Sequence, residues 1–433
     1  MTQAFRIAVA GLGTVGAGLV ELVAAHRAAL AARAGREIRV TAVSARNRSR
    51  DRGIDLGGIA WVDDPTDLAA RDDVDCVVEV IGGSDGPAKA LVERALDAGK
   101  HVVTANKALI AHHGNDLAAR AEAAGVRLAC EAGVAGGIPI LRALGEGLAG
   151  NAVSRVFGVL NGTCNYILTE MARTGRPYAD VLEEAQLKGY AEADPSFDVD
   201  GIDAAHKLAI LAAMAFGTRV DFEGVVTEGI SRITAADIQT AGDLGFTIKL
   251  LGLARMHEDG LEQRVRPCMV RADTVIGSLP DVTNAVVVEG DFVGACTFTG
   301  PGAGAGPTAS AVVADVIDAA RGRADPLFGR PAAALRPAPR LEHGAEHSPY
   351  YLRFTLADRP KALAALASAL GDAGISINRM RQYGQGSRGE GEPVPVVIVT
   401  HDCRRDAVDR ALAHVATLPV SAAPPVAIRI ETV

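Results

Sequence analysis

The chain has six cysteines, Cys76, Cys130, Cys164, Cys268, Cys296 and Cys403, and no two of them form a Cys-x-x-Cys pair. That spacing excludes a zinc ribbon or a thioredoxin-like site and points to small buried thiols in a reducing compartment. A dense basic block is also missing. There are 44 Lys and Arg against 52 Asp and Glu, a formal net charge of -8. Nucleic-acid affinity rests on neutralising phosphates, so no nucleic-acid partner is expected. The longest apolar run, 208–217, is far short of the roughly 20 residues needed to cross a bilayer, and no membrane association is expected. The first ten residues lack a basic region and a cleavage site, so a cytoplasmic protein is expected.

What is present is ordinary for a globular protein: 48% hydrophobic and 22% charged residues over 433 positions. That length suggests two to three domains at about 150 residues each. Short apolar strands at 5–10, 38–43, 76–81 and 101–104 alternate with helical spacing over 14–30 and 88–98. Such alternation predicts crossover units and a doubly wound parallel α/β sheet. From Pro139 the pattern changes to a mixed α+β region, with helices over 140–148 and 166–174 and a strand over 153–160. A stretch rich in Pro, Ala and mixed charge over 323–348 reads as a flexible linker. Beyond it, a strand-helix-strand-strand-helix-strand order, with a Gly-rich turn after residue 381, predicts a ferredoxin-like module.

The loop Gly11-Leu-Gly13-Thr14-Val15-Gly16 joins the first strand to the first helix. Bare glycines let the backbone turn tightly and approach a pyrophosphate, and the helix N-terminus offers free N–H groups to it. After the second strand, where an acid would hold a ribose 2′-hydroxyl, stand Arg46, Arg48 and Arg50. Three cations suit a 2′-phosphate, so NADP is expected, with NAD use plausible; a solvated basic loop is the alternative. Lys107 follows the strand over 101–104 directly, at a strand end where such sheets bind ligands, although a surface cation is equally compatible with that position.

The most informative stretch runs from Ala185 to Lys207. Pro195 and Gly201 mark a loop, and the following apolar segment, 203–215, reads as a helix with Asp203 and Lys207 one turn apart on one face. Aligning Asp198, Asp200 and Gly201 to a calcium loop puts Lys207 where a bidentate Glu is required, which defeats a metal reading. An acidic loop feeding a single helix lysine suits an amine-bearing substrate and a proton donor; a solvated face remains the alternative.

This stretch resembles the signature of the homoserine dehydrogenase family at every specified position. Thr104-Ala-Asn-Lys107, Glu131-Ala-Gly-Val-Ala-Gly-Gly-Ile-Pro139 and Asn161-Gly-Thr-Cys-Asn-Tyr-Ile167 support the resemblance, which covers essentially the whole chain. It implies reversible reduction of L-aspartate 4-semialdehyde to L-homoserine with NAD(P)H, on the route to threonine, methionine and isoleucine. It implies Lys207 as proton donor, oriented by Asp203, and Lys107 beside nicotinamide and substrate. Glu192 and Asp198 would hold the substrate ammonium, with Thr163 at the edge of the site. A monovalent cation, usually sodium, would fall on Glu131 and the carbonyls of Val134, Gly136 and Ile138. Gly306 would approach the cofactor where a helix over 307–322 returns to the nucleotide-binding domain.

The resulting domain expectation is a Rossmann-type nucleotide-binding domain over 1–138, a substrate and dimerisation domain over 139–306, and an ACT regulatory domain over 349–433. Residues 357–360 and 371–378 would wall an effector site, with L-threonine as the expected ligand. A homodimer or homotetramer is expected. Two other functions fit less of the sequence. Another NADP-dependent semialdehyde reductase would be separated by a substrate panel. A non-catalytic amino-acid sensor would have no use for the Asp203/Lys207 pair.

Overall fold

The computed structural model describes residues 3–342, 344–382 and 392–432; the Gly-rich turn expected after residue 381 falls largely outside them. The first layer is a six-stranded parallel sheet of β1 (Phe5–Ala10), β2 (Ile38–Ser44), β3 (Ala60–Trp61), β4 (Cys76–Glu79), β5 (His101–Thr104) and β6 (Leu128–Ala129), in the order β3-β2-β1-β4-β5-β6. The strands are nearly continuous in apolar residues because helices cover both faces. The expected helix over 14–30 is two: α1 (Thr14–Ala25) and α2 (Arg27–Ala34), which meet at 84°. α3 (Pro87–Asp97) and α4 (Lys107–Ala124) complete the crossovers. Among the described residues no single helix is long and apolar enough to cross a membrane.

The second part opens with α5 (Ile140–Arg142), which passes into one wide turn over Ala143–Gly147 where a single helix over 140–148 was expected. It continues through β7 (Val153–Val159), α6 (Gly162–Thr174), α7 (Tyr178–Leu187), α8 (Ser196–Val199) and α9 (Ile202–Phe216). After β8 (Val226–Thr227) and α10 (Ala235–Asp243) come four long strands that no sequence pattern predicted: β9 (Phe246–His257), β10 (Gly260–Arg271), β11 (Thr283–Gly290) and β12 (Gly294–Pro301). α9 is buried on every side from Asp203 to Ala213, as a core helix should be. α11 (Ala305–Ala320) then returns to the first layer and lies against α1, where a Cβ on Gly18 would meet the Ala305 carbonyl at 3.2 Å.

The third part contains β13 (His347–Ser348), β14 (Tyr350–Ala357), α12 (Ala362–Asp372), β15 (Ile377–Gln382), β16 (Pro393–Thr400), β17 (Cys403–Arg404), α13 (Arg405–Thr417) and β18 (Ser421–Ile430). Its sheet order, β18-β14-β16-β15, is that of a ferredoxin-like module. The module is not a tethered appendage. β18 runs parallel to β10, with Cys268 opposite Arg429, so the two sheets are one ten-stranded sheet.

The segment over 323–348, expected as a flexible linker, is a packed strap. Phe328 is fully buried, the Ala332 amide donates to Glu122, Arg340 pairs with Asp221 at 2.6 Å, and the Leu261 amide donates to the Pro339 carbonyl at 2.7 Å. Near the strap's end, Glu346 is buried and meets Arg264 at 2.7 Å. Those contacts hold the Pro-rich composition in one conformation.

Candidate active site

The functional side chains gather in a cleft of about 600 Å³ between the first two parts. At one end lies the glycine loop. Gly11 has φ 101°, and a Cβ there would sit 2.6 Å from the Val80 carbonyl; a Cβ on Gly16 would strike the Gly11 carbonyl. Gly13 caps α1 with no side chain, and its Cβ position is open space. The first amides of α1 therefore face the cleft unblocked, beside Thr14 and Val15, which line it. The bare glycines Gly302 and Gly304 also line the cleft. Gly306 lies within the first turn of α11 and outside the lining, because that helix begins two residues earlier than the sequence suggested.

Beyond β2, Arg46, Arg48 and Arg50 are all exposed, and Arg48 lies over the Trp61 ring at 5.9 Å. The residue that shapes this loop is Arg52, which the sequence reading passed over. Its guanidinium donates to the carbonyls of Leu12, Asn47 and Arg50, tying the arginine loop to the glycine loop.

The reactive end is built on a single carboxylate. Asp203, in the first turn of α9, lies 2.7 Å from Lys207 and 3.1 Å from Lys107, the residue that opens α4. Lys207 also donates to the Leu160 carbonyl at 2.7 Å. Burial alone would raise the Asp203 carboxyl, but the two ammonium groups and the hydrogen bonds outweigh it and hold the group well below the usual carboxylate range. Asp203 is thus a fixed anion that orients two cations.

Asn161 completes the arrangement and was not singled out as a site residue. Its carbonyl oxygen accepts from the Cys164 amide and caps α6, while its amide donates to Asp198 at 2.7 Å and Asp203 at 2.9 Å. An Asn just before an apolar helix is a capping signal; nothing in the sequence shows that its other face holds two acids. Asp198 lines the cleft, and burial raises its carboxyl. Thr163 also lines the cleft and donates to the Tyr190 carbonyl at 2.7 Å. Glu192 is exposed, and the structure does not bring it into the lining. At the strand ends behind Lys107 the packing is equally tight: Glu79, fully buried, accepts from the amides of Ile81 and Gly82 and from the Thr104 hydroxyl.

Glu131 is buried behind the cleft, and its carboxylate accepts from the amides of Leu141 and Arg142. Burial and the nearby Asp315 push it up to about 7. The carbonyls of Val134 and Gly136, both in buried residues, accept no hydrogen bond among the described residues, whereas the Ile138 carbonyl accepts from Ile140. No group of three His, Cys, Asp or Glu side chains among the described residues could hold a metal ion. One carboxylate with unspent carbonyls is a donor set for a weakly held hard cation only.

The whole chain can be set beside known proteins. The family described as homoserine dehydrogenase matches residues 139–317, its NAD-binding domain matches 11–131, and the ACT domain matches 350–415. The homoserine dehydrogenase of Pseudomonas aeruginosa is 44% identical, with 98% of each chain covered. The chain belongs to the homoserine dehydrogenase family. Its members are oxidoreductases that act on a CH–OH group. A solved homoserine dehydrogenase from Thiobacillus denitrificans superposes with a TM-score of 0.93 at 43% identity, covering 99% of both chains. A hyperthermophilic archaeal homoserine dehydrogenase, solved in complex with NADPH, superposes with a TM-score of 0.63 at 27% identity, over 73% of this chain and 98% of that one.

Proposed function

We propose that this homoserine dehydrogenase interconverts L-homoserine and L-aspartate 4-semialdehyde with NADP(H), Lys207 carrying the proton. The observation that carries this reading is the Lys107–Asp203–Lys207 bridge, in which one buried acid joins a lysine from the nucleotide-binding layer to a lysine on α9. The bound nicotinamide supplies or accepts the hydride. In the reducing direction negative charge builds on the aldehyde oxygen as the hydride reaches carbon, and the Lys207 ammonium donates a proton to that oxygen. Asp203 holds the ammonium in position, and Lys107 adds a second positive charge over the same site. Asp198, which faces the cleft and has no ion-pair partner among the described residues, is suited to accept the substrate ammonium; Glu192 would join it on closure of its loop over the substrate.

Gly13 and the first turn of α1 would hold the cofactor's pyrophosphate, and the exposed Arg46, Arg48 and Arg50 would suit a 2′-phosphate. Glu131, with the carbonyls of Val134, Gly136 and Ile138, would take sodium. The ACT module would bind L-threonine between the 357–360 turn and the 371–378 loop. The protein would assemble as a homodimer or homotetramer, since β12 and β15 each leave one edge of the ten-stranded sheet unpaired among the described residues.

The test is NADP reduction on addition of L-homoserine, set against a panel of other hydroxy amino acids and amino alcohols and with NAD in place of NADP. Turnover of homoserine at least about tenfold more efficient than any other alcohol is expected. Activity only on another alcohol, or none at all, would overturn the reading.

A further inference from the structure

A second cavity, of about 720 Å³, lies away from the catalytic cleft, between α6, α10, the start of β9 and the loop over 277–280. Its size is that of a small-molecule site. Leu168, Met171, Ile238 and Ile248 make its floor, and all four are buried.

Gln239, Thr247 and Ser278 line it as well, but two buried polar groups stand out. Lys249 is buried and donates to the Asn165 side chain at 2.8 Å and the Leu279 carbonyl at 2.7 Å. An ammonium carries three donors, so one has no acceptor among the described residues. The Thr169 hydroxyl is also buried and has no hydrogen-bond partner among them. Buried polar groups are rarely left unmatched, and each costs free energy until it is paired. Burial pulls the Lys249 ammonium down to about 8, outweighing the opposing pull of Asp281, which lies outside the cavity lining. No Asp or Glu lines the cavity.

The walls connect two other sites. α6 begins at Asn161, which holds Asp198 and Asp203, and the ACT module grips α10 through Asp237, which takes Arg353 at 2.6 Å and the Tyr351 hydroxyl at 3.1 Å.

We propose that this cavity binds a small carboxylate with a branched apolar body, its carboxylate on Lys249 and Thr169. A zwitterionic amino acid fits less well, because its ammonium would find no acid in the lining. The site lies where an occupant touches both the helix that caps the catalytic acids and the helix held by the ACT module. That consequence rests on the catalytic reading above; the binding itself does not.

Calorimetry on the full chain at pH 7 separates the two. Isovalerate should bind saturably, with leucine and 3-methyl-1-butanol each weaker by at least about tenfold, the worth of a charge-assisted hydrogen bond. Lys249→Met should weaken isovalerate by about 10- to 100-fold with homoserine turnover unchanged. Should Lys249→Met fail to fold, Thr169→Val provides the same test, with an expected loss of about three- to tenfold. Absence of saturable isovalerate binding, equal binding of the alcohol, or unaltered affinity in the variants would overturn the proposal.

Discussion

Arg46 and Arg52 stand six residues apart in one loop and do different work. Arg52 spends its guanidinium on three backbone carbonyls, whereas Arg46 is exposed and has no such ties among the described residues. Arg46→Ala should therefore weaken NADP binding by about one to two decades and leave NAD almost untouched, as read by fluorescence titration. Equal loss for both cofactors would give Arg46 a role in the fold. Glu131 supplies a second test. Its carboxyl rises from 4.5 to about 7, and Asp315 beside it rises to about 6. A carboxyl raised on folding binds its proton more tightly in the folded state, so stability falls as pH climbs from about 4.5 to about 7. Glu131→Gln should flatten that slope, by on the order of 2 kcal/mol across the window. Above pH 7, sodium chloride should raise the melting temperature where choline chloride does not, since an ion that binds only the folded state stabilises it. Equal effects of the two salts would remove the cation from this site.

Among the elements, β18 shows most clearly what the sequence could not convey. The catalytic helix was legible because its information is local: a Pro and Gly loop, then Asp203 and Lys207 four residues apart before an apolar run. The same holds for β1 and its glycine loop. Strands β9 to β12 give no such signal, because both faces of this sheet are covered in places and polar residues are buried in ion pairs. On β10, Glu262, Arg264 and Arg266 are all buried. Glu262 meets Arg429 from β18 at 2.8 Å, and Arg155 meets Glu431 at 3.0 Å. Pairings 167 and 276 residues apart leave no trace in a local pattern. Nor does a Pro-rich stretch reveal that it is strapped down by Glu122 and Asp221. These contacts bear on regulation. Deleting everything from His347 would strip β18 from β10 and leave buried partners uncompensated, so an insoluble product is expected. Arg429→Met alone should cost on the order of 3 kcal/mol in urea unfolding; a loss below about 0.5 kcal/mol would show that the pair is not a fastening. Threonine sensitivity is better tested by Asp358→Ala in the full chain, which should weaken inhibition by threonine and leave the uninhibited rate alone.

At the scale of the whole molecule, the cleft exists because two layers are fastened to each other. Asn115 on α4 exchanges two hydrogen bonds of 3.0 Å with Val220 beyond α9. His112 and His206 meet at 3.3 Å, with His206 stacked on Phe222. Burial, His112 and Lys107 bring His206 down to about 4, so the His206 ring stays uncharged at neutral pH. With the layers so held, Lys107 from one and Lys207 from the other share Asp203, which is where the proposed reading brings substrate and cofactor together. The account depends on Lys207 carrying the proton there, giving it up in reduction and taking it up in oxidation. The most direct measurement is kcat for homoserine oxidation by Lys207→Ala, with the NADP dissociation constant measured on the same protein. A fall in kcat of at least about 10²- to 10⁴-fold, the worth of a positioned general acid, with NADP affinity within about twofold of the parent, is the predicted result. An unimpaired kcat would contradict it.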